Sequence, residues 1–380
     1  MSPRTIYLRP SAAHTWKRCA GYAALMSTVR APLEDAGNDV RDDGTATHWL
    51  AQQAWSMPED AVFHWPFPPH GSLSPNGREI TEELTRGAEE YLNFLASWGT
   101  PLNTRVESTL PTGSIFPGTS DGTPDAYWVT PTSTLGRLAD LKMGFRPHEV
   151  WRHSQLIVYG WTLFCLYPHL TELELTIVQP RAAHRDGTIR SWRVSREEMR
   201  PLAEELQQAA RNAHAESPVC TVNDSCGDCK AAHACRTLQA AGGAGVDISY
   251  ESTPHELTPE QLGYELTKLQ QAAKHMEHRI TGLSVQAESL LKSGRRVPGF
   301  ERARRATRWR WRDECLAQIE QLGRLLGVET SPPKLRTVAQ LRDAFHNLDV
   351  QSMFAELPTG ELTLQATDPN EALRAFTQRK

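Results

Sequence analysis

The chain has 380 residues, with 39% hydrophobic and 23% charged residues and a formal net charge of -4. That length exceeds what one core ordinarily uses, so two domains, or one domain with a large extension, are expected. No run approaches the roughly 20 apolar residues that span a bilayer, and the N-terminus lacks an apolar signal core, so the expectation is a cytoplasmic protein with no membrane partner; the acidic balance excludes a uniformly basic coat for nucleic acid while leaving room for a local basic stripe.

Thr45 to Trp55 has helical spacing, with His48 near its start. The Pro- and aromatic-rich segment from Met57 to Gly77 reads as a loop or insertion. From Arg78 to Trp98, apolar residues at Ile80, Leu84, Ala88, Tyr91, Leu92 and Leu95 form the stripe of an amphipathic helix. Short runs at Arg105 to Leu110, Asp125 to Val129 and Leu135 to Leu141, broken by Pro, Gly, Thr and Ser, predict strands joined by turns. Gln155 to Tyr167 reads as a buried helix, Glu172 to Gln179 as a strand, and Glu197 to Ala215 as a further helix. This order implies an α/β core with a mixed sheet. The Gly-, Ala- and Ser-rich stretch from Ala240 to His255 is a plausible linker. Beyond it the pattern is mostly helical, with Pro259 placed to open a helix that runs to about Ser293. The expected organisation is a domain over 1–240, a linker over 241–256 and a helical region over 257–380.

Asp125 follows Gly122-Thr123-Pro124, and fifteen residues later comes Asp140-Leu141-Lys142 at the end of a predicted strand. On a strand, residues i and i+2 point to one face, so Asp140 and Lys142 project together. Magnesium or manganese needs hard oxygen ligands, supplied by one or two carboxylates with water and phosphate completing the shell. Such an ion polarises a phosphoryl group and lowers the pKa of an attacking water, while a nearby lysine orients that water or offsets developing charge. Asp-x-Lys alone is weak, because it arises by chance in many chains. Its neighbours strengthen it: Gln155-Leu156-x-x-Tyr159 places Gln155 and Tyr159 on one helix face, and Gly44-Thr45-x-x-His48 lies upstream.

Together these motifs resemble the RecB/AddB-like branch of the PD-(D/E)XK nucleases, which includes the CRISPR-associated RecB-type exonucleases, and most closely an uncharacterised phage and prophage family of that branch. The resemblance covers roughly residues 8–240 and a later stretch from Gly294 to Asp313, with Val-Pro-Gly followed by Arg and Trp. It implies a restriction-endonuclease-like core in which His48, Asp125 and Asp140 bind Mg2+ or Mn2+, Lys142 assists the nucleophile, and Gln155 and Tyr159 contact substrate or support the site. Gly118-Thr119-Ser120-Asp121 matches the same short motif as Gly122 to Asp125. Asp125 is preferred because the apolar run Ala126 to Val129 follows it as a strand should, which leaves Asp121 as a turn residue. Glu107, on the preceding strand, is either an added metal ligand or a solvated charge.

The chain has 7 cysteines, an odd number where no export signal is seen, and three fall in Cys226-x-x-Cys229-x5-Cys235. That reads as metal ligation, not as a disulfide framework. The segment Ser11 to Cys19 is similar to the one that supplies a lone cysteine in iron-sulfur RecB-like nucleases, which implies a [4Fe-4S] cluster on Cys19, Cys226, Cys229 and Cys235, four thiolates being its usual ligation. It would act as a clasp tying the two ends of the domain together. Ala20 follows Cys19 where those nucleases usually have proline. Cys220 could replace Cys19 in a local four-cysteine zinc site. Cys165 is expected in the core, and Cys315 has no partner in sequence.

Between Lys292 and Arg312 there are nine Lys or Arg against one acid, Glu301. Arg304, Arg305, Arg308, Trp309, Arg310 and Trp311 make this either a DNA contact surface, with arginines on phosphates and indoles on unpaired bases, or a solvated basic loop with one Trp packed inward. The expected activity is that of a DNA exonuclease or end-processing nuclease serving phage recombination or replication in a bacterial cytoplasm. Its expected partners are DNA ends or single strands and a helicase or recombination protein. The alternatives are a non-catalytic DNA-binding or assembly protein on the same fold, and an RNA-directed nuclease.

Overall fold

A computed structural model describes residues 8–29, 39–56, 65–99, 103–250, 257–304, 310–312, 315–328, 330, 338, 353–356 and 362–366. The chain divides into two units, Met1–Leu283 and Ser284–Lys380.

In the first unit, two short helices, α1 (Ala13–Trp16) and α2 (Tyr22–Thr28), precede α3 (Asp39–Trp55) and α4 (Glu82–Ala96). Thr81 caps α4, its hydroxyl accepting from Leu84 N at 3.4 Å, with Glu82 and Glu83 in the positive first turn. The predicted helix start at Arg78 is therefore too early. Residues 65–81 form a loop, closed by a Leu73–Glu79 bridge, and Arg78 is instead an ion-pair partner of Asp43. Residues 57–64 of the expected loop lie outside the described residues.

Next come β1 (Thr104–Val106), the short α5 (Thr112–Ile115), β2 (Ala126–Trp128) and β3 (Leu135–Leu141). The helix α6 (Ser154–Leu166) leads to β4 (Glu172–Val178), which is followed by β5 (Ile189–Ser195) and α7 (Arg196–Ala213). The sheet runs β1-β2-β3-β4-β5. Only the β3–β4 pair is parallel. A parallel pair requires a crossover, and α6 supplies it. This is an α/β fold with a mixed sheet covered on both faces. One face packs Leu138, Leu173, Leu175 and Ile177 against α6 and α7, and the other packs Ala126, Ala139 and Leu141 against α3 and α4. The alternation along β3 thus sends neighbouring residues to opposite layers.

After the cysteine segment, α8 (Arg236–Tyr250) occupies most of the stretch expected to be a linker. Its alanines favour helix, and Leu238 is fully buried. The helix α9 (Pro259–Lys292) follows. The second unit, where the pattern is expected to be mostly helical, also holds strands among its described residues: β6 (Phe300–Arg304), β7 (Arg310–Trp311), β8 (Ala355–Glu356) and β9 (Leu362–Ala366) accompany α10 (Leu316–Leu326), with β6 paired to β9 and β7 to β8. Among the described residues no helix is long and apolar enough to cross a membrane.

Candidate metal centre and cysteine pocket

The register of the sheet creates the first site. Val106 pairs with Ala126 and Ala126 with Ala139. Continuing each antiparallel ladder by one residue sets Glu107 opposite Asp125 and Asp125 opposite Asp140, and Glu107 N does donate to Asp125 O at 3.0 Å. Three carboxylates therefore share one row across three adjacent strands, where side chains of directly opposed residues lie roughly 5 Å apart and like charges are destabilising. Glu107 sits at φ 48, a left-handed conformation that costs a non-glycine residue energy and collects at functional sites.

His48 reaches into this row from α3. Its Nδ1 stands 3.3 Å from Glu107 Oε1 and 3.6 Å from Asp125 Oδ1. His48, Glu107 and Asp125 each present a ligand atom within 4.8 Å of the others. Burial opposes the charged imidazole, yet Asp125, Glu107 and Asp140 outweigh it and raise His48 to about 9. Asp125 is pushed up from the usual carboxylate range by burial and by Asp140 and Glu107, against the pull of His48 and Lys142. Crowded acids that hold an imidazole toward its charged form mark this row as a candidate metal centre.

Asp140 is the remaining expected ligand beside His48 and Asp125. It is outside the tight group, and its carboxylate is engaged by Lys142, whose Nζ lies 3.1 Å from Oδ1 and 2.8 Å from Oδ2, with hydrogen-bond alignment to Oδ1 alone. Lys142 also donates to Gln155 Oε1 at 3.2 Å. Burial works against its charge, but Asp140 and Asp125 hold its pKa above the ordinary lysine value. Leu141 N donates to Asp125 Oδ2 at 2.5 Å, fixing that carboxylate against β3. Tyr159 donates to Thr123 O at 3.3 Å, and its phenol is raised by burial and by Asp125 and Asp140. Asp121 stands apart: its Oδ1 accepts from Gly113 N at 3.1 Å in a turn.

Gly122 explains the glycine of the motif. A Cβ there would lie 2.6 Å from Tyr159 Cε1 and 2.7 Å from Pro10 Cγ, so only glycine lets the motif strand pass under the tyrosine ring.

The second site lies between the N-terminal segment and the start of α8. Cys19, Cys220, Cys226, Cys229 and Cys235 all line one pocket, with Tyr22, Leu25 and Leu238. No three of these sulfurs lie within 4.8 Å of one another among the described residues. Burial, then Cys19 and Cys235, push the Cys220 thiol up to about 12, and burial raises Cys229 to about 11. Gly21 is pressed against Cys220, whose Sγ would be 2.5 Å from an added Cβ. The helix α9 covers the segment, Arg279 Nη1 donating to His233 O at 2.6 Å and Lys274 pairing with Asp224 at 2.6 Å. Cys165 is exposed, contrary to the expected core position, because it faces outward from α6; Cys315 is buried.

The basic segment is described only in part. Arg305, Arg308 and Trp309 lie outside the described residues, while Arg304 and Arg310 contribute backbone to β6 and β7. Trp311 is half-buried and packs on Ile319, so this indole belongs to a small core and is not a free stacking surface.

Residues 6–364 match the model of a family described as Protein of unknown function (DUF2800).

Proposed function

The chain belongs to that family, and from its own side chains we propose that it is a metal-dependent DNA nuclease of the PD-(D/E)XK type in the RecB/AddB-like branch, acting on DNA ends. The observation that carries this reading is the row of Glu107, Asp125 and Asp140 across three strands, faced by His48 and backed by Lys142. A sheet has no structural reason to line up three acids in a buried place, whereas a hard divalent cation needs that donor set. His48, Glu107 and Asp125 would hold Mg2+ or Mn2+, with Asp140 at the margin. The ion supplies Lewis acidity toward a phosphoryl oxygen and a water of lowered pKa. Lys142, positioned by Asp140 and Gln155, places a fixed positive charge where the attacking water and the phosphate meet. Tyr159 and Gln155 hold that side of the site in place from α6.

We infer that the cysteine pocket holds a polynuclear iron-sulfur cluster, with a four-cysteine zinc site as the alternative; the gathering of five cysteines around one pocket supports metal ligation there. Cys19, Cys226, Cys229 and Cys235 would ligate a [4Fe-4S] cluster with a structural role, because they join residue 19 to the segment beyond α7.

Incubation of anaerobically purified protein with linear and circular DNA, with Mg2+ or Mn2+, tests the reading. Linear DNA should be degraded and closed circles spared. Failure to cut either substrate, by protein whose cluster is intact, overturns the enzymatic assignment, and equal digestion of matched RNA overturns the choice of DNA.

A further inference from the structure

The loop that joins β3 to α6, residues 142–153, begins at Lys142 and ends one residue before the helix that carries Gln155 and Tyr159. It exposes two large aromatic side chains, Phe145 at 60% and Trp151 at 61%, beside the exposed cations Arg146 and Arg152. The guanidinium of Arg152 lies 4.5 Å from the Trp151 ring centre, and that of Arg181 lies 5.2 Å from the ring centre of Phe145. The loop's one acid, Glu149, is engaged by His184 at 3.2 Å.

An exposed loop with apolar tips is ordinarily mobile, but this one is braced from beneath. Gln179, fully buried at the end of β4, donates through Nε2 to Gly144 O at 2.7 Å and Arg146 O at 2.8 Å, and accepts from His148 N at 3.0 Å. Arg190, 4% exposed on β5, donates to His148 O at 3.1 Å and to Gln179 Oε1 at 2.7 Å. Arg190 also donates to Gly187 O at 2.7 Å, so the network ties the loop to the β4–β5 turn, and a buried charged network that fixes the backbone of a surface loop implies that the presentation of its side chains matters. Arg152 adopts φ 54, and the only other non-glycine residue at positive φ among the described ones is Glu107, in the metal row. Such strain marks sites where geometry is held for function.

Resting on the nuclease reading, we propose that Trp151 and Phe145 form a rigid stacking platform for unpaired bases of single-stranded DNA entering the metal site, with Arg146 and Arg152 meeting its phosphates. Aromatic faces stack on any base, and arginines beside them neutralise the backbone, a combination suited to a single strand and not to a duplex, whose bases are already stacked. The loop begins at Lys142, which pairs with Asp140 of the acid row, so on this proposal a strand held there would lead toward the site.

The test uses the full-length protein with Ca2+ in place of Mg2+, a fluorescent oligothymidylate, a blunt duplex and a matched RNA strand. The single strand should bind more tightly than the duplex and quench tryptophan fluorescence. Trp151→Ala, an exposed position whose replacement leaves the core untouched, should weaken single-strand binding about tenfold, with a smaller loss for Phe145→Ala and no change for the duplex. Unchanged single-strand affinity, an equal loss on both DNA forms, or tighter binding of RNA overturns the platform. Cleavage is read separately with Mg2+: cutting that Trp151→Ala leaves unaltered at low substrate counts against the platform alone, whereas stacking-dependent binding without any cutting rejects the nuclease and leaves the platform standing.

Discussion

Replacing Lys142 with methionine separates the structural from the chemical role of the amine. Asp140 is 2% exposed, and its cationic partner is Lys142. Removing one member of a fully buried ion pair costs roughly 3–5 kcal/mol, because the other charge is stranded. The Lys142 side chain retains 25% exposure, so water screens the stranded carboxylate and about 2–3 kcal/mol is expected for the metal-free protein. A divalent ion changes the outcome. With one positive charge gone, the row of acids attracts the ion more strongly, and binding to the folded state alone adds stability that grows with affinity. Urea denaturation of Lys142→Met should therefore show a deficit in EDTA that narrows when Mn2+ is added, with Mn2+ stabilising the variant more than the parent protein, while DNA cutting is lost in both Mg2+ and Mn2+. A deficit of the same size with and without Mn2+, or no Mn2+ effect on either protein, would refute the placement of Lys142 beside a cation site.

Gly122→Ala forces a methyl group against Tyr159 and Pro10; it should cost about 1–3 kcal/mol and depress turnover, measured by denaturation and by cleavage of linear DNA, and unchanged values for both would show that the ring has room to move. Cys226→Ser and Cys229→Ser should abolish the visible absorption and iron content of anaerobically purified protein, whereas Cys220→Ser should keep both; a parent protein containing zinc and no iron rejects the cluster. His153 is held down to about 4, first by burial and then by Lys142 and His148 against the pull of Asp140. Its neutral form is favoured in the folded state, so its contribution is fully present above the unfolded value of 6.5 and is lost as pH falls toward 4, about 3 kcal/mol in all. His153→Phe should flatten the stability profile between those values, and an unchanged profile would assign the slope to other groups.

The parts of the site that were legible in sequence are those set by local periodicity. Asp140 and Lys142 sit two apart on a strand, and Gln155 and Tyr159 four apart on a helix, so their common facing follows from backbone geometry alone. Glu107 stayed ambiguous because its membership depends on the register between β1 and β2, which no short-range pattern encodes. The strand β5 was missed for a related reason: its inward positions are Arg190, Trp192 and Val194, so an arginine breaks the apolar alternation that would announce it. That same arginine braces the loop after Lys142. Composition misled at Arg236–Tyr250, where small residues form a helix and not a linker. It misled again at Arg310–Trp311, where a basic and aromatic pair is a strand packed against α10.

The formal charge of the acid row bears on the divalent ion proposed for it. Glu107, Asp125 and Asp140 contribute three negative charges when ionised, and Lys142 returns one positive charge through its pair with Asp140. The remaining deficit of two is what a single divalent ion supplies, provided His48 is neutral and free to act as a ligand. Asp125, Glu107 and Asp140 raise His48 against burial, and Asp125 is itself raised first by burial and then by Asp140 and Glu107. On the proposed metal reading, one divalent ion would balance the charge of this row.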